Sequence, residues 1–513
     1  MWIFHHFSSE LQQLGTSSLL LPLFFTILAS SFIIFFFKKP SPLDRKLPPS
    51  PPKLPIIGNL HQLGLHPHRS LRILAHTHGP IMLLHLGSNP VLVVSSAELA
   101  REIMKTHDLI FADRPTTKLL TMLVYDQKDV AVGRYGEHWR QKKSLCVVHL
   151  LNNKRVQSYR KVREEEINLM IDTIKNSSSS SSVVNFSEEI AKVTNNIVCR
   201  IALGRKYGPI GGRTVRELLE EFQSLLGGFD VGDYIRWLGW VNHVTGLYAK
   251  AGKVAKELDD FLEMVLDEHI ASGCYSKEDT NKDFVDVLLC LQKDNLAGFP
   301  IDRTCIKAIT LDIFIAGTDT TYTLMEWVMT ELLRHPEIMK KVQNEIREIA
   351  KSKLFISETD LNKLQFLKAV IKETFRMHPP VPLLLPRVAM KDVKLQGYDI
   401  AAGTQVIVNA FAIGRDPTLW DQAEEFRPDR FLNNSIDFKG HDFELIPFGS
   451  GRRTCPGIQF ATITDELALA NLLYKFDWTP HGVAKGEDLD DTESIGLTIH
   501  KKYPLFVVAT PYI

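Results

Sequence analysis

A glycine-rich loop near the C-terminal end carries one cysteine in surroundings that suit a metal ligand. This cysteine loop reads Phe448-Gly449-Ser450-Gly451-Arg452-Arg453-Thr454-Cys455-Pro456-Gly457. Its glycines allow the backbone to approach a flat ligand closely, and the amides that begin the following helix favour a thiolate over a thiol. Arg453 adds a fixed cation with five donors, which suits a carboxylate such as a haem propionate. The loop therefore predicts that Cys455 is a thiolate of the kind that a haem iron accepts.

A second reactive group interrupts an apolar helix and reads Ala316-Gly317-Thr318-Asp319-Thr320-Thr321. Threonine hydroxyls can bond the carbonyl four residues back and bend the helix, which opens room for a diatomic ligand or water. The alternative is a mildly imperfect buried helix. An acid beside an alcohol is costly to bury without a use, so we expect Asp319 and Thr320 to be functional.

Two further charged patterns are weaker when taken alone. Glu373 and Arg376 lie three residues apart on one helix face, and such pairs are usually surface pairs that contribute ~0–1 kcal/mol. Trp139 and Lys143, four residues apart, also share a helix face. A solvated face is the default alternative for these basic residues.

The elements that must position these groups are mostly helical. The stretches Ile81–Leu86 and Val91–Val94 predict a small sheet near the start. Helix-compatible spacing occurs at 251–271, 305–335, 337–351, 361–377 and 456–476. The serine-rich segment 176–182 predicts a surface loop, and the part after about residue 480 predicts short strands and turns. The expected fold class is mainly α with minor β.

Composition limits the classes of partner. The 513 residues include 60 Lys+Arg and 60 Asp+Glu, so the net charge is +0 and the positive field of a dedicated nucleic-acid binder is absent. The chain is 44% hydrophobic and 23% charged, which excludes a disordered or fibrous protein. Its six cysteines form no close pairs, so neither a zinc ribbon nor a dense disulfide framework is indicated.

The N-terminal region predicts a membrane anchor. Residues 19–37 are uncharged and apolar, and as a helix they span roughly the ~30 Å hydrocarbon layer. A cleaved signal would have an apolar region of ~7–15 residues, so we favour an uncleaved anchor. Lys and Arg residues follow the run and none precedes it, which predicts that residues 1–18 lie in the lumen and the body in the cytosol. Residues 38–57 form a basic, proline-rich linker, and 58–513 form the catalytic domain.

The spacing F-x-x-G-x-R-x-C-x-G of the cysteine loop resembles the haem-binding loop of the cytochrome P450 monooxygenases. The resemblance implies the cytochrome P450 fold, with Cys455 as the axial ligand of haem b and with Phe448, Arg453 and Gly457 in its binding loop. Residues 316–321 resemble the family's oxygen-activation segment, which implies that Asp319 and Thr320 relay protons during the activation of O2.

Other segments resemble the same family. Residues 426–431, read with Glu373 and Arg376, resemble its buried cluster of one glutamate and two arginines, with Arg430 as the third member and a structural role. Trp139 and Lys143 resemble a helix that meets the haem propionates, although the family has arginine where this chain has Lys143. Since an ammonium lacks the bidentate fork, it can pair with a propionate only as a point charge. Arg387 matches another propionate-facing arginine.

The likeness extends over essentially the whole chain and is similar to the plant A-type group of endoplasmic reticulum enzymes. Within it, the chain resembles the subgroup that contains psoralen synthase and the aldoxime-converting enzymes. The group implies a single-pass protein of the endoplasmic reticulum membrane that takes electrons from NADPH-cytochrome P450 reductase. Candidate reductase contacts are Lys142, Lys143 and Arg452. Family position implies a largely apolar substrate pocket that includes Ala316, Val381, Leu385 and Ile495.

The resulting functional prediction is a haem-thiolate monooxygenase that inserts one atom of O2 into a small lipophilic plant metabolite such as a terpenoid, phenylpropanoid or coumarin. One alternative keeps the haem but dehydrates an aldoxime or isomerises a peroxide. The Asp319–Thr320 pair argues against it. Another alternative is a haem protein that senses gas or carries electrons, for which an apolar substrate chamber would be superfluous. Desaturation and ring closure stay open as outcomes beside hydroxylation.

Overall fold

The computed structural model describes Thr26 and residues 45–178, 183–209, 212–273, 282–294, 298–351 and 353–512. The chain divides into two units, Met1–Lys46 and Leu47–Ile513. The predicted lumenal segment 1–18 and, apart from Thr26, the predicted anchor 19–37 lie outside the described residues, as does the linker up to residue 44. Within the ranges just given, no helix combines the length and the apolar character needed to cross a membrane.

Helices make up most of the second unit. In chain order they are α1 (Pro67–His78), α2 (Ala97–Arg101), α3 (Lys118–Leu123), α4 (Glu137–Leu145), α5 (Asn153–Ser158), α6 (Arg160–Ser178), α7 (Phe186–Leu203), α8 (Val215–Leu226), α9 (Val231–Tyr234), α10 (Val241–Val244), α11 (Leu247–Ala271), α12 (Phe284–Lys293), α13 (Arg303–Arg334), α14 (Pro336–Ala350), α15 (Gln365–Met377), α16 (Ala410–Ile413) and α17 (Ile458–Lys475). Short π-helical turns continue α2 and α4, at Glu102–Thr106 and Cys146–Leu150.

The strands are short. They are β1 (Ile81–Leu86), β2 (Asn89–Val94), β3 (Val184–Asn185), β4 (Arg387–Val388), β5 (Val393–Leu395), β6 (Tyr398–Ile400), β7 (Gln405–Val408), β8 (Phe476–Pro480) and β9 (Phe506–Pro511). One sheet has the order β1-β2-β7-β4, a second has β3-β9-β8, and β5 pairs with β6. The predicted sheet near the start is confirmed. Its edge strand β4 pairs Arg387 with Val406, which fixes Arg387 on a rigid element.

The long helix α13 lies at the centre of the helical part and packs against α7, α15 and α17. The Asp302 side chain caps its start by accepting a hydrogen bond from the Cys305 amide at 2.6 Å. It ends before Pro336, because a proline disfavours helix in the residue before it and suits the first turn of the next helix. The predicted helices at 251–271, 305–335 and 337–351 are confirmed to within four residues at each end.

Three boundaries differ from the predictions. Helix α17 begins at Ile458, with Gly457 as its N-cap, because Cys455 and Pro456 belong to the turn that presents the sulfur. Helix α15 begins at Gln365, after a separate 3-10 turn at Leu361–Lys363. Helix α6 extends through Ser178, so part of the segment predicted as a loop is helical, while 179–182 lie outside the described residues.

Candidate active site

The cysteine loop is held by close backbone contacts. Gly451 has φ +71°, and a Cβ at this position would lie 2.0 Å from the Met104 carbonyl oxygen, so no other residue fits. The Cys455 amide donates to the Phe448 carbonyl at 3.0 Å and closes the loop. The Gly457 amide donates to Cys455 Sγ at 3.3 Å. The sulfur is therefore fixed in position and already accepts one hydrogen bond.

Cys455 faces a lysine. Burial raises the pKa of the Cys455 thiol, while the Gly457 amide and the Lys143 charge act in the opposite direction. Burial also lowers the pKa of Lys143, and the nearby Cys455 opposes that shift. Lys143 Nζ donates to the Thr454 carbonyl, next to the cysteine. A thiolate at position 455 and an ammonium at position 143 stabilise each other, because each offsets the cost of burying the other.

Three buried arginines, Arg114, Arg387 and Arg453, converge beside this loop and form what we call the arginine cluster. Arg453 Nε donates to the Ala112 carbonyl at 2.6 Å, and its Nη2 donates to the Gly133 carbonyl at 2.7 Å. Its guanidinium carbon lies 3.9 Å from the ring centroid of Trp139. Trp139 is buried, and its indole N–H donates to the Val130 carbonyl at 2.9 Å.

The other two members are also held by carbonyl groups. Arg114 Nη1 donates to the Leu385 carbonyl at 2.6 Å and to the Pro386 carbonyl at 2.8 Å. Arg387 Nη2 donates to the Ser450 carbonyl at 3.1 Å. Backbone from four separate parts of the chain therefore orients the cluster. Arg114 is a site residue that sequence analysis did not single out.

The cluster carries more positive charge than its surroundings neutralise. Within the described ranges, none of its three members forms an ion pair with a carboxylate. Burial, together with the charge of the neighbouring Arg387, lowers the pKa of Arg453 to about 10. Burial likewise lowers the pKa of Arg387 to about 10 and that of Arg114 well below its ordinary value. Buried cations require an anionic partner, and the two propionates of haem b supply one. The donor set therefore fits this cofactor.

The middle of α13 provides the second part of the site. Ala316 is exposed although residues 305–311 and 323–333 of the same helix are buried, so this face of the helix borders open space. Thr320 Oγ1 donates to the Ala316 carbonyl at 2.7 Å. Burial raises the pKa of Asp319, whereas a hydrogen bond with the Thr498 side chain and the proximity of His500 lower it. Thr498 was missed in the sequence because a single threonine in a C-terminal loop carries no pattern.

The remaining predicted pocket residues, Val381, Leu385 and Ile495, lie on loops. Val381 and Leu385 are half-buried, and Ile495 is exposed. The turn that contains Ile495 approaches α8 so closely that a Cβ on Gly227 would lie 2.9 Å from the Leu497 amide. The contact between Thr498 and Asp319 brings the same turn to α13.

The predicted structural cluster of Glu373, Arg376 and Arg430 is assembled in the structure. Arg376 Nε and Nη2 donate to the two Glu373 carboxylate oxygens at 2.7 and 2.8 Å, and both side chains are fully buried. Arg430 Nε donates to Glu373 Oε1 at 3.1 Å. Arg376 also donates to the carbonyls of Gly414, Ala423 and Glu425, which lie in the meander that leads to the cysteine loop.

The predicted reductase contacts differ in exposure. Lys143 and Lys142 are half-buried, and Lys142 donates to the Lys128 carbonyl. Arg452 is exposed and pairs with Asp108 at 3.2 Å. A cleft of about 320 Å³ lies here, and its lining includes Arg140 and Arg452.

Comparisons with known proteins agree with this geometry. Residues 48–506 match the family model described as Cytochrome P450. The chain is 56% identical over 512 residues to "Cytochrome P450 736A117" of Prunus mume, covering 98% of each chain. It is 51% identical over 500 residues to "3-beta-hydroxylase" of Tanacetum parthenium, covering 95% of this chain and 99% of that protein. A zebra fish cytochrome P450 solved with progesterone superposes with TM-score 0.74 at 26% identity, covering 86% of this chain and 99% of that chain.

Proposed function

Since this chain belongs to the cytochrome P450 family of monooxygenases, we propose that it uses O2 and electrons from NADPH-cytochrome P450 reductase to hydroxylate a small lipophilic plant specialised metabolite. The observation that carries the proposal is the arginine cluster beside Cys455, because buried cations and a fixed sulfur suit a dianionic metal porphyrin. Cys455 Sγ would bind the iron, and the cluster, with Trp139 and Lys143, would hold the propionates. When bound, the haem supplies the reductive activation of O2.

The chain's own contribution to the chemistry is proton delivery at the middle of α13. Burial favours a proton on the Asp319 carboxyl, and the Thr498 contact holds that carboxyl beside the helix. Thr320 Oγ1 donates to a carbonyl of its own helix at rest and can turn to donate toward the open face. A carboxyl and a hydroxyl in this order can pass protons to a reacting oxygen. This arrangement supports oxygen insertion over the dehydration of an aldoxime or the isomerisation of a peroxide, which do not require it.

The substrate class follows from the lining. Ala316, Val381, Leu385 and Ile495 are apolar, and a pocket with such a lining selects lipophilic molecules. The relative named 3-beta-hydroxylase supports hydroxylation as the outcome. Terpenoids, phenylpropanoids and coumarins are the compounds of this class to be screened first.

Attachment to the endoplasmic reticulum membrane is part of the proposal and has support in the folded unit itself. An exposed apolar patch begins at Phe229, just before α9, and continues through Trp237 and Trp240 to Val244 in α10; the two tryptophans are 65% and 61% exposed. Exposed patches of this kind mark interaction sites, and tryptophan is typical of membrane interfaces. The patch and the apolar run at 19–37 would attach the chain at two places, with the catalytic unit in the cytosol.

The test combines a spectrum with turnover. The reduced carbon monoxide difference spectrum of purified full-length protein is expected to show thiolate ligation, and product formation is expected to require both NADPH and the reductase. Cys455→Ser should abolish the thiolate spectrum. Cys290→Ser, at a half-buried cysteine of α12, is the control and should leave the spectrum unchanged. A thiolate spectrum retained in Cys455→Ser would refute the ligand assignment, and turnover without reductase would refute the proposed electron source.

A further inference from the structure

The loop 129–133 lies between α13 and the arginine cluster and forms hydrogen bonds with both. On one side, its backbone amides bind a carboxyl group of α13. The Val130 and Ala131 amides donate to Asp312 Oδ2 at 2.6 and 3.3 Å. Asp312 lies seven residues before Asp319, which is about two helical turns along the same face.

On its other side, the same loop supplies carbonyl groups to the cluster. The Ala131 carbonyl accepts from Arg114 Nε at 3.1 Å, and the Gly133 carbonyl accepts from Arg453 Nη2 at 2.7 Å. The Val130 carbonyl accepts from the Trp139 indole at 2.9 Å. A displacement of this loop would therefore move the groups that orient two of the three arginines.

A second acid meets Asp312 at this point. Asp129 is buried, and its Oδ2 accepts from the Val132 amide at 2.8 Å. No N–H of a described residue donates to its other oxygen, Oδ1. The Asp129 and Asp312 carboxyl groups lie within hydrogen-bonding reach of each other. A hydrogen bond between two acids requires a proton on one of them, because two ionised carboxylates only accept and repel.

We propose that Asp129 and Asp312 share one proton and act as a positioning pair, which holds the loop 129–133 against α13 and thereby keeps the arginine cluster in the geometry that binds haem. The role of the pair toward haem rests on the proposed function, whereas its role in holding the loop does not.

The preceding backbone explains why the loop needs such a restraint. Tyr125, Asp126 and Gln127 have φ of 51°, 57° and 54°. This left-handed backbone conformation is unfavourable for any residue that carries a Cβ. Gln127 is buried and donates to the carbonyls of Pro115 and Val132. The left-handed run ends at Gln127, and Asp129 follows two residues later.

The charges around the pair are consistent with one shared proton. Burial raises the pKa of Asp312 well above its ordinary value, and the Asp129 charge raises it further. Burial raises the pKa of Asp129 too, whereas hydrogen bonds and the facing charge of Arg114 lower it, and Arg453 also faces this carboxyl. The Cys146 thiol faces Asp312, and burial raises its pKa to about 12, so it stays neutral between pH 5 and 8. The proton therefore belongs on Asp312, and the negative charge on Asp129.

Limited trypsin cleavage of the full-length protein measures the opening of the loop, because Lys128 is exposed and directly precedes Asp129. Asp312→Asn can still accept from the Val130 amide and donate to Asp129, so it should keep the loop closed. Asp312→Ala removes both contacts and should be cleaved after Lys128 about tenfold faster than Asp312→Asn, or more. Asp302→Ala is the control, since it removes the cap of the same helix and does not touch the loop.

The pH dependence distinguishes a shared proton from a simple contact. Opening exposes both acids to water, where aspartate has a pKa of ~3.9, so the shared proton is released. Because the pKa of the acid pair is raised in the closed state, the closed loop is most stable at low pH and becomes less stable as the pH rises. The cleavage rate of the wild type relative to Asp312→Asn should therefore increase with pH from 5 to 8, at up to about tenfold per unit. Dividing by the variant rate removes the pH dependence of trypsin itself.

Haem transfer to a scavenging apoprotein is the second readout, and it should be faster in Asp312→Ala than in Asp312→Asn. Equal cleavage of these two variants, or a rate ratio that is constant from pH 5 to 8, would overturn the pair. Equal haem transfer would overturn its link to the cluster. If no form of the chain takes up haem, the proposed function fails, while the cleavage data still decide whether the pair holds the loop.

Discussion

Replacing Arg376 by alanine is expected to prevent stable folding, because the guanidinium is the centre of a fully buried charge cluster. The substitution leaves the Glu373 carboxylate buried with only the Arg430 side chain and the Arg427 amide as donors. Removing one partner of a buried ion pair costs about 3–5 kcal/mol. The carbonyls of Gly414, Ala423 and Glu425 lose their donor as well, at about 1 kcal/mol each or more. The smallest total, about 6 kcal/mol, is comparable to the ~5–15 kcal/mol stability of a typical protein.

Arg376→Lys makes the prediction measurable even if the alanine variant is insoluble. Lysine keeps the charge but cannot form the fork to Glu373 and reach three carbonyls at the same time. The loss of at least two hydrogen bonds to a charged group, at about 1.5 kcal/mol each, predicts a decrease of about 3 kcal/mol in the free energy of unfolding. Urea titration followed by tryptophan fluorescence is the assay, and the Trp420 ring, 5.6 Å from the Arg376 guanidinium carbon, is a local reporter.

Arg216→Ala provides the matched control. Arg216 pairs with Glu220 at 2.8 Å on the surface of α8, so its loss should cost about 0–1 kcal/mol. The reasoning fails if Arg376→Lys lowers the free energy of unfolding no more than this control does.

Three other outcomes are expected. Gly451→Ala should lower the haem content of the purified protein for two reasons. The new Cβ would collide with the Met104 carbonyl, and the left-handed backbone conformation costs alanine about 1–2 kcal/mol. Gly482→Ala has a similar φ of +81° with no atom in reach, and an equal loss there would rule out the collision as the cause. Thr498→Val removes a hydrogen bond that lowers the pKa of Asp319, so the limb of the activity profile that reports Asp319 should move to higher pH. An unmoved limb, matching that of the control Thr510→Val on β9, would exclude this contact from proton delivery. In a protein truncated to residues 47–513, replacing both Trp237 and Trp240 by serine should weaken binding to lipid vesicles by about tenfold or more. Leu354→Ser is the control, because Leu354 is 84% exposed and lies outside the patch, and it should leave vesicle binding unchanged. An equal loss of vesicle binding in both proteins would contradict the assignment of the patch to the membrane.

The sequence alone was sufficient to identify the cysteine loop, because its glycines, Arg453 and Cys455 lie at a recognisable spacing within one short segment. Only glycine can adopt the left-handed turn against the Met104 carbonyl, and only a sulfur in such a turn is presented as a ligand. The main helices and the first sheet were also predictable, since their apolar periodicity reflects one buried face at a time.

Tertiary structure alone decided which distant groups meet. Arg114 is far from Arg387 and Arg453 in the sequence. Nothing in the three segments themselves shows that these charges converge without forming ion pairs with carboxylates. The contacts of Thr498 with Asp319 and of Asp129 with Asp312 are equally invisible in the sequence, because a hydrogen bond between remote elements leaves no local periodicity. A pattern along the chain records how each segment folds against its own neighbours, whereas the charge balance of a buried site depends on which segments the fold brings together.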